Sequence, residues 1–347
     1  MENWEMKQGI DQDVIWESNV EIRRNLRGYE FPNKMDKESA NKAMEDVSRV
    51  CQNYGFTFYD AVTLSRERRM ELAFKNLIPL IMVKEMYKDQ AVLLNDDEDV
   101  AILVNFEDHV TIKSIVRGSD MHIALKNALD VAKIIERNLD VAYSERMGYI
   151  TADPLKCGLA MRLEYVAFIP ATEIGLNVNS LSNRLSQFDW TVAKDNKFDR
   201  KNSTCYRIHS ERTMGISEIE LFNTAVRVGN NVLMLERVCR KTLCEKKPEV
   251  VEDNYYRRYG LLRYARKLSS TEAFEALAWI RLAQDYITKD GAGEINLTWE
   301  MINRLTDYVY RFRMPTIKLE DRNNPKAVDM DKHRATWYRD VLEGDGN

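Results

Sequence analysis

The residues of this 347-residue chain that could do chemistry fall into a few dense clusters. Val104-Asn-Phe-Glu-Asp-His109 sets two adjacent carboxylates, Glu107 and Asp108, and an imidazole directly after a short apolar run. Such carboxylates can act as a base or hold a cation, or they can simply be the polar end of a strand. Asp331 and Arg334 lie three apart, on one helical face. Arginine gathers between Arg257 and Arg266, and an acidic run spans Asp96–Asp99. Both charge runs read as solvated faces.

Several chemistries are excluded. No G-x-x-x-x-G-K-[ST] phosphate loop and no G-x-G-x-x-G turn is present. The four histidines (His109, His122, His209, His333) share no metal-ligand spacing with one another or with cysteine, and Cys239 and Cys244 lack a second pair. No metal site is therefore expected. The five cysteines (Cys51, Cys157, Cys205, Cys239, Cys244) are scattered and odd in number, which fits free thiols in a reducing compartment. A net charge of −4 leaves no footprint for nucleic acid. No apolar run approaches the roughly 20 residues that span a bilayer. The first residues show no signal pattern, so the reading is a cytoplasmic protein.

These clusters need a scaffold. Periodicity predicts helices at 37–53, 64–76 and 119–143. The last carries Met121, Leu125, Ala128, Ala132, Ile135, Leu139 and Ala142 on one face, with Ser119 and Asp120 as candidate caps. Strands are expected at 100–105, 149–150, 162–170 and 204–210. Ser217-Glu-Ile-Glu220 fits a capping box, opening a helix that runs to about Lys241. Pro248 and the acidic 249–253 stretch mark a boundary, and beyond it 271–286, 297–313 and 331–343 read as helices. The expected class is α+β: residues 1–247 forming a mixed domain and 248–347 a helical one.

The clusters also follow a recognisable order. Glu17-Ser-Asn-Val-Glu-Ile-Arg-Arg-Asn-Leu-Arg-Gly28 resembles S-S-R-I-R-L-A-R-N-L-x-G, and the 104–109 segment resembles V-N-E-E-D-H. Gly148-Tyr-Ile-Thr-Ala-Asp-Pro-Leu-Lys-Cys-Gly158 resembles G-Y-L-T-A-C-P-T-N-x-G, and Ser210 to Glu218 resembles S-N-Q-x-T-L-G-x-S-E. The strongest block runs from Tyr256-Arg-Arg-Tyr-Gly-Leu-Leu-Arg-Tyr-Ala-Arg-Lys-Leu-Ser-Ser-Thr-Glu-Ala273 to Ile280-Arg-Leu282. Together these resemble the bacterial protein-arginine kinases of the ATP:guanido phosphotransferase family, over roughly residues 14–343.

The resemblance implies a glutamine-synthetase-like catalytic domain, with an antiparallel sheet flanked by helices and the site on a sheet face. A helical C-terminal domain through which family members dimerise would follow. It implies γ-phosphoryl transfer from Mg-ATP to a guanidinium nitrogen. Arginines would neutralise the triphosphate, and a carboxylate would hold and deprotonate a guanidinium whose pKa exceeds 12. Glu107, beside Asp108, falls at the position of the base; Phe106 replaces the first glutamate of the pair. The arginine half is depleted: family arginines fall on Asn19, Glu21, Thr111 and Ala193, and the R-G-x-x-G-E loop covers Ala193 to Phe198. Arg162 alone matches a phosphate-binding arginine, and Asp153 stands at the reactive cysteine, with Cys157 four residues on.

Losing one such contact costs on the order of 2.7–4 kcal/mol of transition-state stabilisation, and Glu21 adds negative charge. The reading is therefore a pseudokinase acting by binding, with no cofactor held. The alternative is an enzyme with a rearranged site, using Glu107 as base and Arg162 with Arg23, Arg24 or Lys156 to hold Mg-ATP. Met330-Asp-Lys-His-Arg-Ala335 matches the family's phosphoarginine-binding R-D-x-x-R-A except at its first position, which nominates Asp331 and Arg334. Expected partners are a second copy or a related kinase, phosphoarginine-marked proteins and a Clp-type unfoldase, but no nucleic acid or membrane.

Overall fold

A computed structural model describes residues 9–84, 89–195, 204–288, 295, 297–311 and 330–344. The chain divides into two units, one of 1–166, 182–192 and 207–230, the other of 167–181, 193–206 and 231–347. No helix among the described residues is long and apolar enough to cross a membrane.

The first half of the chain supplies β1 (Ile15–Arg24), α1 (Lys37–Gln52), β2 (Thr57–Asp60), α2 (Arg66–Phe74), β3 (Ala91–Leu94), β4 (Val100–Val104), β5 (Val110–Arg117) and α3 (Met121–Asn138). Then come the two-residue strands β6 (Tyr143–Ser144) and β7 (Gly148–Tyr149), β8 (Met161–Phe168), α4 (Pro170–Ile174), α5 (Val178–Ser186), β9 (Trp190–Lys194) and β10 (Cys205–Ser210). The main sheet has the order β2-β3-β4-β5-β1-β8-β10-β9. Its run from β2 to β1 is antiparallel throughout.

Strand β4, Val-Ala-Ile-Leu-Val, is buried at every position, as a central strand covered on both faces must be. In β1 the apolar Val20 and Ile22 alternate with Asn19, Glu21 and Arg23, so the polar three share the opposite face. The pairing of β1 with β5 sets Glu21 opposite Lys113 and Arg23 opposite Thr111. Helix α3 packs on β1 and β5, burying Met121, Ala124, Leu125, Ala128, Ala132 and Ile135. Its cap is Asp120, whose Oδ1 accepts from Ile123 N at 3.2 Å.

Helix α6 (Glu218–Lys246) opens on the expected box: Glu220 N donates to Ser217 Oγ at 3.2 Å and Ser217 N to Glu220 Oε2 at 2.8 Å. Next is α7 (Pro248–Tyr264), on the stretch that composition marks as a boundary. Pro248 does end the preceding helix, but at the first position of a new one its missing N–H costs nothing. Helices α8 (Ser270–Ile287), α9 (Trp299–Arg311) and α10 (Met330–Gly344) complete the second unit. Helix α8 is nearly all buried from Ala273 to Gln284, and α7 and α9 pack against it. Its Gln284 accepts from Tyr255 Oη at 2.8 Å, and Tyr338 Oη of α10 donates to Leu305 O at 2.7 Å.

Candidate functional site

The carboxylate cluster sits in the turn joining β4 to β5. Asn105 takes φ +57° there, which asparagine tolerates better than most residues. Asn25, at the end of β1, braces the turn: its Nδ2 donates to Asp108 Oδ1 at 2.6 Å, and its Oδ1 accepts from His109 N at 2.9 Å. Ala152 N adds a bond to Asp108 Oδ1 at 2.7 Å. His109 Nδ1 accepts from Leu26 N at 3.2 Å, and burial pushes its imidazole below the usual value. His109 is thus a neutral structural group. Phe106 packs against the cluster of Leu72, Leu77, Val92 and Leu103 and leaves the polar site.

Asp108 is fully buried, whereas Glu107 is half-exposed. Glu107 accepts from Arg23 Nη1, and its Oε1 accepts from Lys156 Nζ at 2.7 Å. Burial would raise the Glu107 carboxyl, but these two cations outweigh it and hold the group below the ordinary carboxylate range. A carboxylate so stabilised is a weaker base.

On the adjoining sheet face, a cavity of about 60 Å³ is lined by Asn19, Glu21, Lys113, Arg162, Glu164 and Arg207, among others. The face holds cations, but most are already neutralised. Arg207 Nε donates to Glu164 Oε2 at 3.0 Å, its Nη2 pairs with Oε1, and Asn19 Nδ2 donates to the same Oε1 at 3.1 Å. Burial opposes ionisation of Glu164, yet Arg207, Arg162 and Asn19 pull its pKa down to about 2. Lys113 Nζ lies 3.8 Å from Glu21 and donates to Asn76 O at 3.0 Å. Burial pushes the Lys113 ammonium below its usual value. Glu21 is itself held below the usual range, with Lys113 and Arg23 overcoming the burial that would raise it. Arg162 differs: it is exposed, lines this cavity and a neighbouring one, and makes no direct hydrogen bond or ion pair among the described residues.

The glycine-bounded segment 148–158 keeps its glycines for steric reasons. A Cβ on Gly158 would stand 2.3 Å from Thr213 O, and one on Gly148 2.5 Å from Gly158 O. Asp153 caps the turn at Pro154–Lys156, its Oδ1 accepting from Leu155 N at 3.1 Å. Cys157 is buried with Thr151 N at 3.5 Å from its Sγ, so it does not take the place of an exposed reactive thiol.

Arg24 is unavailable as a replacement cation. It is buried, donates from Nε to Glu136 Oε1 at 2.7 Å and stacks over Tyr149 at 3.4 Å. Thr111 is buried on β5, and Ala193 lies on β9 within the second unit. The rest of the R-G-x-x-G-E counterpart, from Asn196 to Phe198, falls outside the described residues.

In α10, Arg334 is only 2% exposed. Its Nη1 donates to Leu268 O at 2.6 Å and to Asp331 Oδ1 at 2.9 Å, while Leu268 N donates to Asp331 O at 3.0 Å. The pair fastens α10 to the loop before α8 through Nη1 alone: Asp331 is half-exposed, and Arg334 Nε is buried with no hydrogen-bond partner among the described residues. Arg334→Ala is therefore expected to lower stability by about 2 kcal/mol, the scale of a charged hydrogen bond lost from a buried place. Thermal unfolding of the variant checks this; an unchanged midpoint contradicts it.

Sequence reading does not single out Glu164, Arg207, Lys113 or Asn25. A signal existed for the first: Arg162 and Glu164 are two apart on a strand and so share a face. The pairing of Glu164 with Arg207 and of Glu21 with Lys113 depends on strand register, which is non-local.

The comparisons agree with this architecture. The sequence model described as ATP:guanido phosphotransferase, C-terminal catalytic domain, matches residues 38–239. A protein-arginine kinase of Pelotomaculum thermopropionicum is 30% identical over 292 residues, covering 81% of each chain. One from Geobacillus sp. is 25% identical over 355 residues, covering 99% of this chain and 96% of its own. Among solved structures, the substrate-free duplicated taurocyamine kinase of Schistosoma mansoni superposes with a TM-score of 0.57 at 18% identity, over 68% of this chain and 34% of that one. A lombricine kinase gives 0.57 at 14% identity, over 66% and 68%. This likeness shows the fold, an antiparallel sheet flanked by helices, which a helical region follows in this chain. The chain belongs to the ATP:guanido phosphotransferase family, and its relatives there include bacterial protein-arginine kinases.

Proposed function

We propose that this protein is a non-catalytic relative of the protein-arginine kinases, a pseudokinase that acts by binding and assembly. One observation carries the reading: the charged groups of the site are paired with one another. Glu21 and Glu164 neutralise Lys113 and Arg207 where a triphosphate would need free cations. Arg23 and Lys156 occupy Glu107 where a base would need an open carboxylate. Mg-ATP does not fit this set of residues, because Glu21 and Glu164 bring two carboxylates into the cation face and binding would break several ion pairs in partly buried surroundings.

Arg162 favours the second reading, an enzyme with a rearranged nucleotide site, since it alone keeps an open guanidinium on this face among the described residues. A single exposed arginine supplies one charge-assisted contact; the spread charge of a transferring phosphoryl group calls for several. Isothermal titration of the protein with Mg-ATP is expected to give no binding tighter than about 1 mM, the −4.1 kcal/mol level. Binding well below that concentration, lost in Arg162→Ala, would support the second reading instead.

The helical unit is the assembly surface in this proposal, with a second copy or an active kinase as partner. Phosphoarginine-marked proteins and a Clp-type unfoldase are the further binding candidates. The burial of Arg334 and its Nη1 bonds count against an open phosphoarginine pocket at Asp331 and Arg334, although its buried Nε has no hydrogen-bond partner among the described residues. The same titration with phosphoarginine tests that pocket, and binding that disappears in Arg334→Ala would restore it.

A further inference from the structure

The guanidinium of Arg23 is enclosed by carboxylates of its own chain. Its Nε and Nη2 donate to Glu21 Oε1 at 2.9 and 2.6 Å. Its Nη1 donates to Glu107 Oε2 and, at 3.1 Å, to Asp108 Oδ2. Four of the five N–H groups of a guanidinium thus face a carboxylate. The side chain is 14% exposed, and a cavity of about 70 Å³ lined by Glu21, Arg23, Lys156, Arg162 and Glu211 opens beside it.

Two substitutions build this arrangement, and they lie two apart on β1. In the segment S-S-R-I-R-L-A-R-N-L, which 17–26 resembles, Glu21 stands at the second arginine and Arg23 at the alanine. The first removes a cation from the phosphate side and supplies a carboxylate. The second supplies the guanidinium which that carboxylate and the acid turn then hold. Strand periodicity puts both side chains on the same face.

We propose that Glu21, Glu107 and Asp108 form a guanidinium-binding site whose resident occupant is the chain's own Arg23, which thereby excludes exogenous guanidinium groups such as arginine side chains. The tether decides the competition. Arg23 is held in place by the fold and gives up no translational freedom on entering the site, whereas a free ligand must. An intramolecular group also competes at a high effective concentration. This goes beyond the loss of nucleotide binding: the acceptor side is closed as well, by Arg23 across all three carboxylates, with Lys156 on the other oxygen of Glu107. The ordinary alternative is that Arg23 only neutralises nearby charge, in which case any cation of similar size would serve.

The experiment is chemical complementation in the full chain. Arg23→Ala deletes a fragment equivalent to ethylguanidinium, leaving the carboxylates and an enlarged cavity. Thermal unfolding of Arg23→Ala with millimolar ethylguanidinium is expected to show a saturable rise in midpoint. The rise should fail with ethylammonium, which has charge without the fork, and with N-ethylurea, which has the shape without charge. It should vanish in Arg23→Ala/Glu107→Gln. The wild-type protein should bind ethylguanidinium at least ~10-fold more weakly than Arg23→Ala, a difference of about 1.4 kcal/mol.

Equal effects of ethylguanidinium and ethylammonium, an equal response of the wild type, or no rise at all would overturn the proposal. If Arg23→Ala does not fold alone, recovery of folded protein from urea in each additive, read by circular dichroism, gives the same comparison. There, too, the absence of guanidinium-specific recovery overturns it. None of these measurements involves nucleotide, so failure here leaves the pseudokinase reading standing, whereas phosphoryl transfer to arginine by the wild type would sink both, because the acceptor would have to reach Glu107.

Discussion

Glu164→Gln is expected to lower the stability of the protein by about 2–3 kcal/mol at pH 7 and by much less under acid conditions. Glu164 is buried, yet its carboxylate accepts from Arg207 and Asn19, and its pKa falls from 4.5 to about 2. A carboxyl whose folded-state value is depressed contributes stability that is fully present above its unfolded value. That stability is lost as pH falls toward the folded value. The window here runs from about 4.5 down to about 2. Each unit is worth about 1.4 kcal/mol, and pairing to a partly exposed arginine argues for the lower part of the resulting range. Glutamine preserves the shape and some hydrogen bonding but has no proton to exchange. The urea midpoints of wild type and variant should therefore converge as pH is lowered from 7 toward 3. A gap independent of pH would show that packing, and not charge, makes the difference.

Glu236→Ala should have a larger effect, about 3–5 kcal/mol, through the second unit. The Glu236 carboxylate is fully buried on α6. It accepts from Ala171 N at 3.1 Å, Thr172 N at 2.8 Å and Thr172 Oγ1 at 2.8 Å, and from Arg240 Nε at 2.8 Å. Helix α4 has Pro170 in its first turn and no side-chain cap of its own, so Glu236 satisfies N–H groups that a helix leaves open at its start. Alanine abandons those donors and breaks a buried ion pair at once. Glu236→Gln, which still accepts from the amides, should lose only part of this. Denaturant unfolding of the two variants checks the order; equal losses would show that only the charge matters.

Much of the fold was legible from local pattern. The α3 stripe, the buried run of β4 and the Ser217–Glu220 box each depend on residues within one element; the last two appear where the sequence places them, and the stripe holds from Met121 to Ile135, the helix ending at Asn138 before Leu139 and Ala142. Strands β1 and β5 were harder to see, because polar residues such as Glu17, Ser18 and Ser114 are buried along them and blur the period-2 signal. The stretch at 249–253 lies within α7, where acidic residues near a helix start suit the dipole.

The same limit applies to the site. Residue identity already displays the missing arginines at Asn19, Glu21 and Thr111 and the carboxylates at Glu107 and Asp108. It leaves open what became of the remaining charges. Glu21 looks from sequence like a repulsive charge beside a phosphate; in the fold it is a partner of Arg23 and Lys113. Arg24 looks like a spare cation and is instead buried against Glu136 and Tyr149. Arg334 looks like a ligand arginine or a surface pair, and its burial comes from the packing of α10 with α7 and α9. Each of these outcomes includes a partner far away in sequence (Lys113 for Glu21, Glu136 for Arg24, Leu268 for Arg334) that no local pattern encodes.

The central claim is that the site's charges satisfy one another and leave no phosphoryl transfer. The most direct test incubates the full chain with Mg-ATP labelled at the γ-phosphate and an arginine-rich protein acceptor, then follows acid-labile label on the acceptor. The account predicts no transfer above a protein-free control. Label on arginine, lost in Glu107→Gln, would contradict it.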